Sequence, residues 1–472
     1  SSIYNPINLL INGFKKVFNY PIFKKLLLIG FFITGIFLMY SVSSIYAALE
    51  VDETKFVQKN NNYLSLQTTR ISVEDFNKYS NMENIVYILP SNSLVSLNMK
   101  YNNYLQASRM YGSTVSGSLA SVKMITEDDL IYGTMPEKSN EIVLDKMIVK
   151  NMIDLGTPVN VGINTEEEFV GLKVQDSLDR EYKIVGITDL VSPSIYVFDS
   201  EFISIIANQT DGNYDSYNRI IDYELIKNKI SIVKGRTPSN DYEVVVSETN
   251  EYSMPLDKEI ETKVNDHKLK VVGYYHSDDG YDYQLVNTNT IKYDLLSKTT
   301  ELVIYSSDKE STLETFRDKK ININNTYELD KEKYINNMKD DVREKVITAG
   351  VIIAISLIEI FLMIRSSFLS RIKEIGILRA IGVKKTDIMK MFLGEIIAIA
   401  TIAGVTGIFV MAYIIKVLRA LAMFRNTFVL NAQVIIVSIV LMYLFNIIVG
   451  LLPVFNVLRH TPSAILSRHD IE

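Results

Sequence analysis

Four stretches of the chain, 26–49, 346–364, 391–413 and 434–455, are apolar almost throughout, with no alternation of period 2 and no polar helical face. Crossing a bilayer core takes roughly 20 apolar residues, so each stretch predicts a transmembrane helix. Ahead of them, residues 6–20 carry Ile7, Leu10, Ile11, Phe14, Val17 and Phe18 at helical spacing, with Asn8, Asn12, Lys15, Lys16 and Asn19 between. That pattern makes residues 1–25 an amphipathic elbow segment suited to the membrane interface, with packing on the chain's own spans as the alternative. Lys24 and Lys25 precede the first apolar run and Glu50 follows it. The run is longer than the roughly 7–15 residues of a signal-peptide core, so it is read as a retained span.

Residues 50–329 contain no span-length run. Short β-branched runs alternate there with turn residues, which predicts strands at 142–144, 182–186, 243–247 and 269–274. Helical spacing recurs at 73–79 and 201–207. This is an α+β region large enough for two modest cores. It carries an internal repeat, at about 125–190 and 225–280. Gly133, Pro136 and Glu141 lead into Ile142-Val143-Leu144, and Gly235, Pro238 and Glu243 lead into Val244-Val245-Val246 at the same spacings. Each copy later reaches a matching strand, 183–186 or 270–273. The first copy is the longer, and its extra segment includes acidic Glu166, Glu167 and Glu168, expected to form a solvated loop.

The segment 330–364 is different again. Its first half is charged, yet Ile335, Met338, Val342 and Val346 recur every three or four positions, with no proline or glycine before Gly350. One helix is expected to run through it as a stalk and into the second span. The expected fold is therefore a membrane α-helical protein of four transmembrane helices, with a large α+β extracytoplasmic domain inserted between the first and second.

Charge orients this layout. With both termini inside, thirteen basic residues lie in cytoplasmic segments, from Lys15 and Lys16 through Arg365 and Arg371 to Arg459 and Arg468. The 414–433 loop holds Lys416, Arg419 and Arg425. The remaining segments are a cytoplasmic loop at 365–390 and a cytoplasmic tail at 456–472. The expected setting is a bacterial cytoplasmic membrane.

Composition removes several kinds of chemistry. There is no cysteine, and there are four histidines, so disulfides, thiolate chemistry and histidine metal cages are not expected. The net charge of −6 speaks against a nucleic-acid partner. His276, Asp278, Asp279 and Asp282 surround Gly280, but their spacing fails that of a calcium loop, so a polar turn is expected. Neither G-x-S-x-G nor H-E-x-x-H occurs. No catalytic residue and no metal ligand is assigned. Glu359 and Glu395 are the acidic residues inside the spans. Intramembrane charge raises the prospect of function, but both lie near the cytoplasmic ends, where solvation or pairing is expected, Glu359 lying close to Arg365. Gly404 and Gly407, with Ala400 and Ala403, give the third span a small-residue packing face.

The loop at 365–390 is short, basic and amphipathic, and too small to fold alone. Its Ile372, Ile375, Leu378 and Ile381 are expected to need a partner surface, either the membrane interface or another protein. Arg371, Glu374, Ile375, Gly376, Leu378, Arg379, Ala380, Ile381 and Gly382, at their spacing here, resemble the signature of the MacB/FtsX-like permease family, the membrane subunits of type VII ABC transporters. The order of segments agrees with that family along the whole chain, and the match is sharp over about 345–460.

The resemblance implies that Arg371, Glu374, Ile375, Gly376, Leu378, Arg379, Ala380 and Gly382 belong to a coupling helix docking on an ABC ATPase. It implies mechanotransmission, in which ATP binding moves the stalk and external domain, and a homodimer. The large external domain looks like the macrolide-exporter and lipoprotein-release branches. Those would export or extract an antimicrobial peptide, drug, toxin or lipid-linked substrate, and an adaptor or membrane-fusion protein could assist. The alternative is an FtsX-like regulatory permease controlling a wall hydrolase or signalling peptide stress. No Walker A motif occurs, the nearest fragment being Gly382-Val-Lys-Lys-Thr. This chain is thus expected to be no enzyme and to hold no cofactor, with ATP and Mg on a partner subunit or on a domain preceding Ser1.

Overall fold

The computed structural model describes residues 6–20, 25–69, 71–101, 114–209 and 219–459. Lys24, Arg468 and the tail beyond Arg459 lie outside the described residues. The chain divides into two units, one of Asp52–Tyr334 and one of Ser1–Val51 with Ile335–Glu472.

In the first of these the strands are, in chain order, β1 (Tyr63–Gln67), β2 (Ile85–Leu89), β3 (Leu94–Lys100), β4 (Thr114–Ser121), β5 (Leu130–Gly133), β6 (Glu141–Asp145), β7 (Lys173–Gln175), β8 (Glu181–Thr188) and β9 (Ser194–Val197). They continue with β10 (Ile220–Asp222), β11 (Ser231–Gly235), β12 (Glu243–Ser247), β13 (Glu259–Val264), β14 (His267–His276), β15 (Gln284–Val286), β16 (Glu301–Ser306) and β17 (Ile323–Asn325). They form three sheets. One, ordered β17-β1-β16-β2, joins the beginning and end of the unit. The second is β5-β8-β6-β9-β4-β3-β7, with β7 also pairing β8 so that the sheet closes on itself. The third is β10-β15-β12-β14-β11, with β13 added on β14.

The two copies read in the sequence share a topology. The run β5-β8-β6-β9-β4 corresponds to β11-β14-β12-β15-β10, and the pairs alternate antiparallel, parallel, antiparallel, parallel in both. Even the bulge is repeated. The β6/β8 register skips Val185, and the β12/β14 register skips Val272. The glycines explain why. Gly133 and Gly235 sit at φ of +80° and +77°, in the left-handed region that disfavours a side chain. A β-carbon on either would overlap the carbonyl oxygen of Val185 or Val272. The glutamates close the same turn. Glu141 accepts from the backbone N–H of Glu137 (2.8 Å) and Lys138 (3.1 Å), and Glu243 from Ser239 (3.0 Å) and Asn240 (2.9 Å).

The acidic insertion of the first copy is more ordered than a plain solvated loop. Glu168 accepts from Asn164 N–H at 2.7 Å and Thr165 N–H at 2.9 Å, and the turn buries Phe169 completely. The 276–282 segment is a polar turn. The His276 ring bonds Glu248 and Asp278, and the Asn250 amide donates to Asp282 at 2.7 Å.

Among the described residues four helices are long and apolar enough to span a bilayer: Leu26–Leu49, Thr326–Leu369, Lys385–Arg419 and Ala432–Leu458. The second is a single unbroken helix of 44 residues. It starts four residues ahead of the expected stalk boundary, because β17 ends there and Thr326 anchors the first turn by donating to the Tyr63 carbonyl at 2.7 Å. The third span contains a π-helical segment, Ala400–Val405, and its helix runs on to Arg419, which shortens the loop expected at 414–433. That loop folds back onto the first span, with Ser43 Oγ donating to the Val429 carbonyl at 2.7 Å.

Glycines set the closest approaches. A β-carbon on Gly35 would overlap the Gly404 carbonyl, and one on Gly407 would overlap that of Phe32. Gly407 therefore packs the third span on the first, while Gly404 offers the first span its carbonyl and turns its open side to Met442 of the fourth. The N-terminal helix, Pro6–Phe18, also packs on the third span. Val17 and Tyr20 are buried, and a β-carbon on Gly13 would stand 2.5 Å from the Gly394 carbonyl oxygen. The helix thus packs on the chain's own spans along one side. One face of the helix is spent on the third span, and the apolar side chains left outward are Ile7, Ile11 and Phe18.

Candidate coupling site at the 365–390 loop

The long second-span helix ends at Leu369, and a new helix, Ile372–Ala380, begins after Arg371, whose φ of −113° breaks the helical run. The loop helix stops in a Schellman motif. Gly382, at φ +95°, donates its N–H to the Arg379 carbonyl at 3.2 Å, and Val383 donates to that of Leu378 at 3.0 Å. Gly382-Val-Lys-Lys-Thr is thus a helix exit, which accounts for its glycine without a phosphate.

The apolar stripe read from the sequence divides. Ile372 is buried, and Ile375, with partly buried Leu378, packs in a cluster with Phe368, Ile388, Phe392, Val454 and Leu458. Most of the stripe is therefore satisfied by this chain, which corrects the expectation that all of it seeks a partner. Ile377 and Ile381 remain outward, 59% and 73% exposed, among exposed Lys373, Ala380, Lys384 and Lys385. Residues 373, 377 and 380 share one helical face, and Ile381 caps its end.

Arg371 points inward. It is 8% exposed, donates from Nη1 to Glu395 at 2.8 Å and from Nε to Glu374 at 3.1 Å, and lies 4.8 Å over the Phe392 ring. Glu395 also accepts from the Tyr20 hydroxyl, and the Lys16 ammonium stands 3.7 Å away. Glu395 is thus paired, with Arg371 from the loop. Glu359 is half-buried, with its carboxylate turned to Gly30 of the first span, and among the described residues no ion pair joins it to exposed Arg365. Glu374 and Ala380 are exposed, Gly376 is buried, and Arg379 is half-buried. Ile335, Met338 and Val342 of the long helix are each half-buried.

Sequence reasoning missed Tyr20, Lys16, Phe392 and the outward role of Ile377. For Ile377 the signal is its place one turn after Lys373, on the side of the helix away from Ile372 and Ile375. For Tyr20 and Lys16 no local pattern does, since their partner is hundreds of residues away.

Residues 346–462 match the family described as FtsX-like permease C-terminal. Stretches of the chain resemble the macrolide export ATP-binding/permease protein MacB of Mannheimia succiniciproducens, 33% identical over 102 residues, and of Campylobacter jejuni, 30% over 98. The aligned parts cover 22% and 21% of this chain and 16% and 15% of those relatives, so the chain matches about a sixth of their length. Two solved structures show local likeness. One is the periplasmic region of MacB from Actinobacillus actinomycetemcomitans, with 14% identity, 34% of this chain, 79% of that one and a TM-score of 0.21. The other is the extracellular domain of the noncanonic ABC-type transporter YknZ from Gram-positive bacteria, with 11% identity, 35%, 86% and 0.20. Four spans, an inserted α/β domain and this C-terminal match define a polytopic permease. Residues 346–462 carry the FtsX-like permease C-terminal match, and parts of the chain are similar to MacB permease proteins.

Proposed function

We propose that this chain is the force-transmitting permease of a type VII ABC system. The loop helix docks on an ABC ATPase, carried on a partner subunit or on a preceding domain, and ATP binding there moves the extracytoplasmic domain. One observation carries this reading. The Ile372–Ala380 helix buries its inner face on its own spans and still presents Ile377 and Ile381 to the outside among lysines. A solvated loop has no need of two exposed isoleucines on one basic face, whereas a protein partner with an apolar, acid-rimmed groove accounts for them. The unbroken Thr326–Leu369 helix continues from the stalk residues into the second span. ATP and Mg sit on the ATPase. Both termini lie in the cytoplasm, and two copies act together.

The family named by the relatives supports export or extraction at the outer leaflet of an antimicrobial peptide, drug, toxin or lipid-linked substrate, with an adaptor as a further partner. The test is co-purification with the ATPase encoded beside or ahead of this chain. Wild type retains the ATPase and stimulates it, and Ile377→Asp with Ile381→Asp loses both while the chain stays folded. Retention and stimulation unaltered in that variant overturn the docking face.

A further inference from the structure

Three separate elements meet at one buried carboxylate. Glu395 lies in the first turns of the third span's helix, with its side chain 7% exposed, and it takes bonds from the N-terminal helix side through Tyr20 and from the loop through Arg371 Nη1 at 2.8 Å. Lys16 adds charge at 3.7 Å, and Glu374 holds the other edge of the guanidinium at 3.1 Å. Arg371 Nη2 is buried with no hydrogen-bond partner. Tyr20, Ser367 and Glu395 line a cavity of about 20 Å³ beside this cluster, room for one water. The loop helix has only a short covalent tether to the second span, Ser370 and Arg371, where the helical run is broken.

We infer that Glu395 is a positioning residue that clasps the N-terminal helix, the loop helix and the start of the third span into one block. A push on the outward face of the loop helix is then delivered to the third span and the N-terminal helix together, while the second span bends at Ser370–Arg371. The physical reason is the asymmetry of a buried ion pair. Removing Glu395 leaves the buried Arg371 guanidinium with only half-exposed Glu374 as its partner, so the elements separate only at a cost. The use of the block in transmission rests on the docking reading above. Its existence does not, and the test needs no ATPase.

The experiment is amide hydrogen exchange on the full chain in nanodiscs, comparing wild type with Glu395→Gln and Tyr20→Phe. Glu395→Gln keeps the volume and removes the charge. The expected result is that exchange in 372–380 and in 6–18 rises together, roughly a hundredfold, while 432–458 is unaltered. Tyr20→Phe, which removes one hydrogen bond, accelerates 6–18 by roughly fivefold and leaves 372–380 alone. Exchange unaltered in Glu395→Gln, acceleration of only one of the two helices, or a uniform rise that includes 432–458 would each overturn the clasp.

Discussion

Gly35 of the first span and Gly404 of the third touch backbone to backbone, so closely that a β-carbon on Gly35 would overlap the Gly404 carbonyl oxygen. The contact falls at the π-helical segment Ala400–Val405, and Gly407 makes a similar approach to Phe32. In a bilayer, helices gain little from burying apolar surface against each other and rely on such close packing. Gly35→Ala and Gly407→Ala are therefore expected to destabilise the membrane unit by about 1–3 kcal/mol each. Gly350 offers the contrast. It is helical with open space around its Cα, and Gly350→Ala is expected to be neutral or stabilising by up to about 1 kcal/mol. Thermal unfolding in detergent separates the two cases.

In the extracytoplasmic unit the same substitution has a different mechanism. Gly133→Ala and Gly235→Ala force a side chain into positive φ and onto a carbonyl oxygen of the paired strand. Each is expected to cost at least about 1–2 kcal/mol. Because the two glycines occupy equivalent places in two copies, each variant should open its own copy first. Limited proteolysis followed by mass spectrometry reads which copy is cut.

Acid should weaken the second copy through Glu243. Hydrogen bonds from Arg236, with further bonds from Asn240, hold its carboxyl down at about 2. A depressed carboxylate contributes stability that is fully present above its unfolded value. That contribution is lost as pH falls from about 4.5 towards 2. Arg236 is half exposed, so screening limits the effect to about 1–2 kcal/mol. Denaturant midpoints measured at pH 6 and pH 3 should fall more steeply in wild type than in Glu243→Gln.

Two charged-residue substitutions in the loop should part company. Arg371→Glu places a carboxylate against buried Glu395 and is expected to destabilise the folded chain by about 3–5 kcal/mol. Ile381→Asp alters an exposed position and is expected to move stability by no more than about 0.5 kcal/mol while abolishing ATPase stimulation. Loss of activity in Arg371→Glu alone therefore says little about docking. Melting curves beside ATPase assays distinguish the two.

The elements whose hydrophobic period is local were legible from the sequence. The four spans, the N-terminal amphipathic helix and the unbroken run through Ile335, Met338 and Val342 all follow from spacing along one helix. The repeat was legible too, because Gly133 and Gly235 answer a backbone demand that few other residues meet. What escaped was set in three dimensions. Arg371 looks like one more cation of a basic loop until Glu395 is brought beside it. Ile375 and Ile377 differ in fate only because Phe392 and Val454 cover one side of their helix. The sheet order, with β9 returning between β6 and β4, is likewise a matter of long-range pairing that alternation along a strand does not encode.

The transmission reading is tested most directly at Asn336, exposed on the long helix. The chain has no cysteine, so a single introduced cysteine there carries a spin label cleanly. In the assembled complex with its ATPase in nanodiscs, the distance between the labels on two copies should shift when ATP is bound and return after hydrolysis. A distance that ignores nucleotide while ATP is being hydrolysed would contradict movement of the stalk as the output of this permease.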